Sequence, residues 1–139
     1  MTRIERITPW AIATLAHRMD PADKARFDGD AAATIRQAAA GCVHSFAGIV
    51  DNLPAFLGGL MADGRVWMVS TPDVAKARKF YLRATRAETE RMQAISPVLW
   101  TYVDDRYPRS LRWLAWLGFS VGEPVEILGT TARKVERRA

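Results

Sequence analysis

The stretch Val98-Leu99-Trp100-Thr101-Tyr102-Val103-Asp104-Asp105-Arg106-Tyr107-Pro108-Arg109-Ser110-Leu111-Arg112-Trp113-Leu114-Ala115-Trp116-Leu117-Gly118-Phe119 decides the fold. β-Branched and aromatic residues dominate up to Val103, the composition of a strand covered on both faces. A short polar turn follows. Pro108 suits a first helical position, where its missing N–H loses no partner. Leu111, Leu114 and Leu117 recur at intervals of three and make one apolar stripe. Trp113 and Trp116 make a second, so protein must cover most of this helix. Gly118 supplies the left-handed residue that closes it.

Working outward, Asp63-Gly64 between apolar runs predicts a tight turn into a strand at 65–70. Strand-like runs at 43–50 and 54–61 are joined at Asp51-Asn52, and Pro54 is tolerable as a strand's first residue. Thr8-Pro9, Asp20-Pro21 and Thr71-Pro72 each pair a capping oxygen with proline in the first helical turn. They predict helices at 10–19, 22–27 and 74–92, and Asp30 predicts another at 31–40 that Gly41 ends. In the longest, Ala77, Phe80, Tyr81, Ala84 and Ala87 define the inward face. Residues 3–7 can open the chain as a strand, and 120–128 with 131–137 close it as a hairpin about Gly129. Antiparallel strands followed by a strand-helix-strand crossover give an α/β (α+β mixed) domain. The expected sheet is mixed, mostly antiparallel, of about seven strands, with helices on both faces.

The chain of 139 residues suffices for one domain, 1–139, with a core of its own. Hydrophobic residues at 49% and charged residues at 25% match a soluble globular composition. No apolar run approaches the roughly 20 residues of a membrane span, and the short piece after Pro9 reads as a helix face rather than a signal peptide. The single Cys42 excludes an internal disulfide framework and reads as a packed thiol. His17 and His44 lack sequence neighbours at metal-ligand or nucleophile spacing, so no metal site is expected. The net charge is +5. Its one sequence cluster is the tail, Arg133, Lys134, Arg137 and Arg138, which suits a soluble edge strand or, as a lesser alternative, contact with nucleic acid.

Tyr102-Val103, Ser110-Leu111-Arg112-Trp113-Leu114 and Trp116-Leu117-Gly118-Phe119 resemble the carboxyl-terminal half of the GNAT acyltransferase fold. They look closer still to the GNAT-like proteins of tailed phages, a group that includes internal virion proteins of podophages. The resemblance spans about 66–119. It implies that strands 65–70 and 98–103 lie side by side, parallel, and splay at their carboxyl ends, with acyl-CoA in the gap. Met68, Val69 and Ser70 would then face the pantetheine arm. The diphosphate would rest on the amides that open the helix at Val74, a sound anion site in principle.

Against that pattern the chain departs at three places. The family's phosphate turn is Arg/Gln-x-x-Gly-x-Gly/Ala, whereas this chain reads Ser70-Thr71-Pro72-Asp73-Val74-Ala75-Lys76. There is no glycine, Pro72 lacks an N–H, and Asp73 brings a carboxylate to a phosphate's place. The tyrosine that many such enzymes carry four residues before the Gly of Gly-Phe is Leu114 here, and leucine transfers no proton. The asparagine often found at the start of that helix is replaced by Tyr107. Asp104 and Asp105, at the end of the fifth strand, are the candidates for a general base, with turn capping as their structural alternative.

The leading expectation is therefore a phage GNAT-fold protein with a degenerate acyltransferase site, serving in the virion or its assembly and needing no cofactor. It would occur in the host cytoplasm during assembly and then in the particle. Its partners would be other phage structural proteins, met through Tyr107, Trp113 and Trp116, of which at least one should be exposed. The alternative is an acetyl-CoA-dependent N-acetyltransferase acting on a protein or a small amine.

Overall fold

A computed structural model describes residues 1–27 and 29–139. Its elements run β1 (Thr2–Glu5), α1 (Pro9–Arg18), α2 (Pro21–Lys24), α3 (Ala31–Ala40), β2 (Cys42–Val50), β3 (Leu53–Met61), β4 (Val66–Ser70), α4 (Arg78–Ile95), β5 (Val98–Asp104), α5 (Pro108–Trp116), β6 (Ser120–Ile127) and β7 (Thr130–Arg138). Thr8, Asp20 and Asp30 cap α1, α2 and α3 through their side-chain oxygens. Asp51 and Asn52 both take positive φ in the β2–β3 turn, as Leu128 and Gly129 do between β6 and β7.

The expected α+β architecture is present, with one refinement. The strands form two antiparallel sheets, β1-β2-β3-β4 and β5-β7-β6. One isolated parallel bridge, Arg65 to Trp100, links them. There the Trp100 amide donates to the Gly64 carbonyl at 3.1 Å, and its indole Nε1 donates to the Asp63 carbonyl at 3.0 Å. The strands at 65–70 and 98–103 are thus parallel neighbours at their amino ends only.

Helices cover both faces of the four-stranded sheet. Ile12, Leu15 and Ile35 from α1 and α3 pack with Ala47, Ile49 and Leu57 on one face. On the other, Phe46, Phe56, Leu60 and Val66 pack with Ala84 and Met92 of α4, and this core runs on into Leu99 and Val135 of the second sheet and Leu114 of α5. Double coverage explains why β3 reads as a nearly continuous apolar run. Gly48 is required here, because a Cβ at that position would collide with the Phe56 ring. No helix among the described residues is long and apolar enough to cross a membrane.

Three local expectations need correction. The helix expected at 74–92 is a 3-10 turn at Pro72–Ala77 followed by α4 from Arg78. The expected inward face is incomplete: Ala77, Phe80, Tyr81 and Ala84 do pack into or against the core, but Thr85, Glu88, Thr89 and Met92 are buried beside Ala84 as well. Thr85 and Thr89 fit inside because their hydroxyls donate to the Tyr81 and Thr85 carbonyls at 2.8 and 2.7 Å. The basic tail is no edge strand: β7 lies between β5 and β6. Its charges are accommodated by partners, Arg133 by Asp105, Lys134 and Arg138 by Glu136, and Arg137 by the Gln93 side chain.

Candidate functional site

Beyond the Arg65–Trp100 bridge β4 and β5 part company, and between them opens a cleft of about 700 Å³. Met68, Val69 and Ser70 line one wall, and Thr101, Val103 and Asp104 the other. Tyr81 and Trp113 meet at its depth with their rings stacked, 5.9 Å between centroids and 16° between planes. Phe56 meets the Tyr81 ring nearly edge-on at 5.1 Å. Burial pushes the Tyr81 phenol well above its ordinary range, making it a weaker acid than a free tyrosine. The Trp113 indole N–H is buried and has no hydrogen-bond partner among the described residues, so one donor in the cleft wall is free for an acceptor.

Two turns stand at the carboxyl ends of the splayed strands. After β4, the Thr71 hydroxyl accepts from the Asp73 amide at 3.2 Å, while the Val74 amide donates to the Thr71 carbonyl at 3.3 Å. Pro72 has no N–H. The amides of Thr71, Asp73 and Val74 are thus all engaged, that of Thr71 with the Ala55 carbonyl of β3 at 2.9 Å. The Asp73 carboxylate is buried and faces away from the cleft, accepting from Arg18 Nε and Nη2 at 2.9 and 3.1 Å, with Lys76 Nζ at 3.2 Å. Hydrogen bonds from Arg18 lead in lowering its pKa to about 2. The expectation that Asp73 thrusts a free charge into a phosphate's place is therefore corrected: α1 claims that charge. Val74 lies inside the 3-10 turn rather than at the opening of the long helix. The opening amides of α4 lie one turn later, at Arg78, and Ala77 offers them no side-chain cap.

The turn after β5 faces solvent. Asp104 accepts from the Arg106 guanidinium at 2.6 to 3.1 Å and from its amide at 2.9 Å. Those bonds hold the Asp104 carboxyl below its ordinary pKa, the opposite of what a general base near neutrality needs. Asp105 accepts from Arg133 Nε at 2.7 Å. Both carboxylates thus act as turn and strand ties. Leu114, at the tyrosine position of the family pattern, is buried in the core. At the cleft mouth the Arg26 guanidinium lies 4.7 Å over the Tyr107 ring, so the segment after α2 reaches across to the β5–α5 turn.

Trp116 is 44% exposed, as expected of at least one of the three watched aromatics, while Tyr107 and Trp113 are half-buried. Cys42 is half-buried, its thiol pushed up by burial and accepting from the Trp67 indole N–H at 3.1 Å. Sequence reasoning missed one polar pair altogether. His44 on β2 meets the buried Glu88 of α4 at 2.7 Å, and Arg91 binds the other carboxylate oxygen at 2.8 Å. The partners are 44 residues apart, so no local spacing announces them. Among the described residues no group of three or more His, Cys, Asp or Glu is placed to hold a metal ion.

No protein-family profile matches the sequence, and no curated protein matches it. Solved structures do match the fold. A chimera of the Vibrio cholerae spermidine N-acetyltransferase superimposes with a TM-score of 0.73 at 9% identity, over 99% of this chain and 95% of that one. An aminoglycoside acetyltransferase solved with coenzyme A gives 0.70 at 12% identity, over 99% and 95%. A protein of the GNAT acetyltransferase family from Desulfovibrio desulfuricans gives 0.66 at 15% identity, over 99% of both chains. Two sheets splayed about a cleft, with this element order, define the GNAT acetyltransferase fold. At these identities the likeness is one of fold.

Proposed function

We propose that this chain is a GNAT-fold protein that has lost the usual acyl transfer and works by contact, as a virion or assembly component of a tailed phage. One observation carries the loss of chemistry: the β4–α4 turn spends its amides on Thr71 and its carboxylate on Arg18 and Lys76. From Thr71 to Val74 such a turn leaves a diphosphate no free amide, and the cation of the same turn, Lys76, is already paired with Asp73. Leu114 adds the loss of the usual proton donor. The phage assignment and its contact role are supported by the resemblance across residues 66–119 to tailed-phage GNAT-like proteins.

A second reading, acetyl-CoA-dependent transfer to an amine, is favoured by the cleft itself. It remains open between β4 and β5, and solved neighbours of the same fold are, by their own descriptions, in complex with coenzyme A. A thermal-shift titration with acetyl-CoA separates the two, because a ligand of the native state raises the melting temperature by mass action. Millimolar acetyl-CoA is expected to leave the melting temperature unchanged. A saturable rise at micromolar concentrations would replace the first reading by the second. For the contact role, mass spectrometry of purified particles of the encoding phage should recover the chain in fixed stoichiometry, and its absence from both particles and assembly intermediates would end that role.

A further inference from the structure

We propose that the outer faces of α4 and α5 form a binding surface for the phosphate backbone of nucleic acid. Lys79, Arg83 and Arg86 stand at i, i+4 and i+7 and share one face of α4. Arg109 and Arg112, with Trp116, stand at i, i+3 and i+7 and share one face of α5. All are exposed. The two faces join where the Arg86 guanidinium lies 4.7 Å over the Trp116 ring.

Among the described residues no carboxylate claims these cations, and the one acid that continues the α4 stripe is exposed Glu90, a turn beyond Arg86. None of the five belongs to an ion pair among the described residues. The basic tail, which is the obvious cluster in the sequence, is by contrast tied to Asp105 and Glu136. The chain's excess of +5 is therefore expressed most plainly on α4 and α5. Both elements are helices, so the charges stand at set intervals. Lys79 to Arg86 covers about 10 Å at about 1.5 Å per residue, close to three steps of about 3.4 Å along a duplex strand.

Arginine outnumbers lysine four to one in this group, and its planar fork matches phosphate oxygens in pairs. The patch also lacks what a protein partner requires. Interfaces between proteins centre on clustered apolar or aromatic anchors, and here Trp116 is the one large exposed hydrophobic side chain. Charge without an apolar centre favours a phosphate backbone over an acidic protein. This inference is independent of whether the cleft binds coenzyme A.

The test is fluorescence anisotropy of the intact chain against a labelled DNA duplex of about 20 base pairs, at salt from about 50 to 200 mM. Affinity is expected to fall with salt at a log–log slope of about −3 to −4, the signature of a few phosphate contacts. Changing Arg83→Gln, Arg86→Gln and Arg112→Gln together should weaken binding at least about tenfold and flatten the slope by about 2 to 3. The same three positions changed to lysine should retain the slope, and all variants are checked by thermal melting. Arg36→Gln on α3, another exposed cation without an ion pair, should leave binding unchanged. Wild-type binding that is absent or insensitive to salt would overturn the proposal. So would a triple glutamine variant that binds as well as Arg36→Gln. Equal affinity and slope for polyglutamate, lost in the same triple variant, would assign the patch to an acidic protein instead.

Discussion

Strands β3 and β6 are near opposites. From Pro54 to Leu60 every residue of β3 is buried, whereas along β6 every residue but Gly122 is exposed. The first lies inside a sheet with helices on both faces. The second is the outer edge of a sheet whose charged middle strand is held by side-chain pairs. Each sheet nevertheless ends in a Pro-initiated turn at the cleft, and the turns differ in the same sense. Thr71-Pro72 is sealed by the buried Asp73 and its two cations, while the turn before Pro108 keeps its ion pairs in solvent. The four-stranded sheet is buried on both faces, whereas the three-stranded sheet joins the core through Leu99 and Val135 and leaves its β6 edge to solvent.

The largest expected effect tests that division directly. Leu57→Ala removes a fully buried side chain between the sheet and α1 and should cost about 2–5 kcal/mol in urea denaturation. Val125→Ala on β6, where the side chain is 42% exposed, should cost less than about 1 kcal/mol. Similar losses at the two sites would break the comparison.

An intermediate effect concerns the sealed turn. The Asp73 carboxyl titrates at about 2 in the folded chain against an ordinary value of 3.8. A group lowered in this way contributes stability above its unfolded pKa and loses it as pH falls toward the folded one. Stability from this site should therefore be complete above about pH 5 and decline between about pH 4 and 2. Asp73→Asn should lower the melting temperature by a few degrees at neutral pH and by less at pH 2.5, flattening the acid limb. An equal deficit at both pH values would show that the Arg18 pair is not the source.

The smallest effect is expected at the open turn. Asp105→Asn loosens one solvent-facing tie to Arg133 and should change stability by at most about 1 kcal/mol, diminishing with added salt. A larger, salt-insensitive loss would mean that this turn is sealed as tightly as its counterpart, and would sharpen the comparison by erasing half of it.

The sequence by itself determined the element order, because the signals for it act over a few residues. Thr8, Asp20 and Asp30 cap the helices they precede, Asp51-Asn52 accepts positive φ, and Gly118 closes α5 at φ 97°. The family pattern likewise exposed the missing glycines and the Leu114 substitution as absences that any reading of the chain can register. Tertiary structure alone decided where charges went. Asp73 reads as a helix-terminal acid until Arg18, 55 residues away, draws its carboxylate out of the cleft. His44 has no partner at local spacing until the fold brings it to Glu88, whose other carboxylate oxygen Arg91 takes. The tail reads as an edge until β6 folds back and makes β7 central. In each case the deciding partner lies far along the chain. A charge can be buried only where a counter-charge or hydrogen-bond donor meets it, and that meeting is a property of the assembled fold.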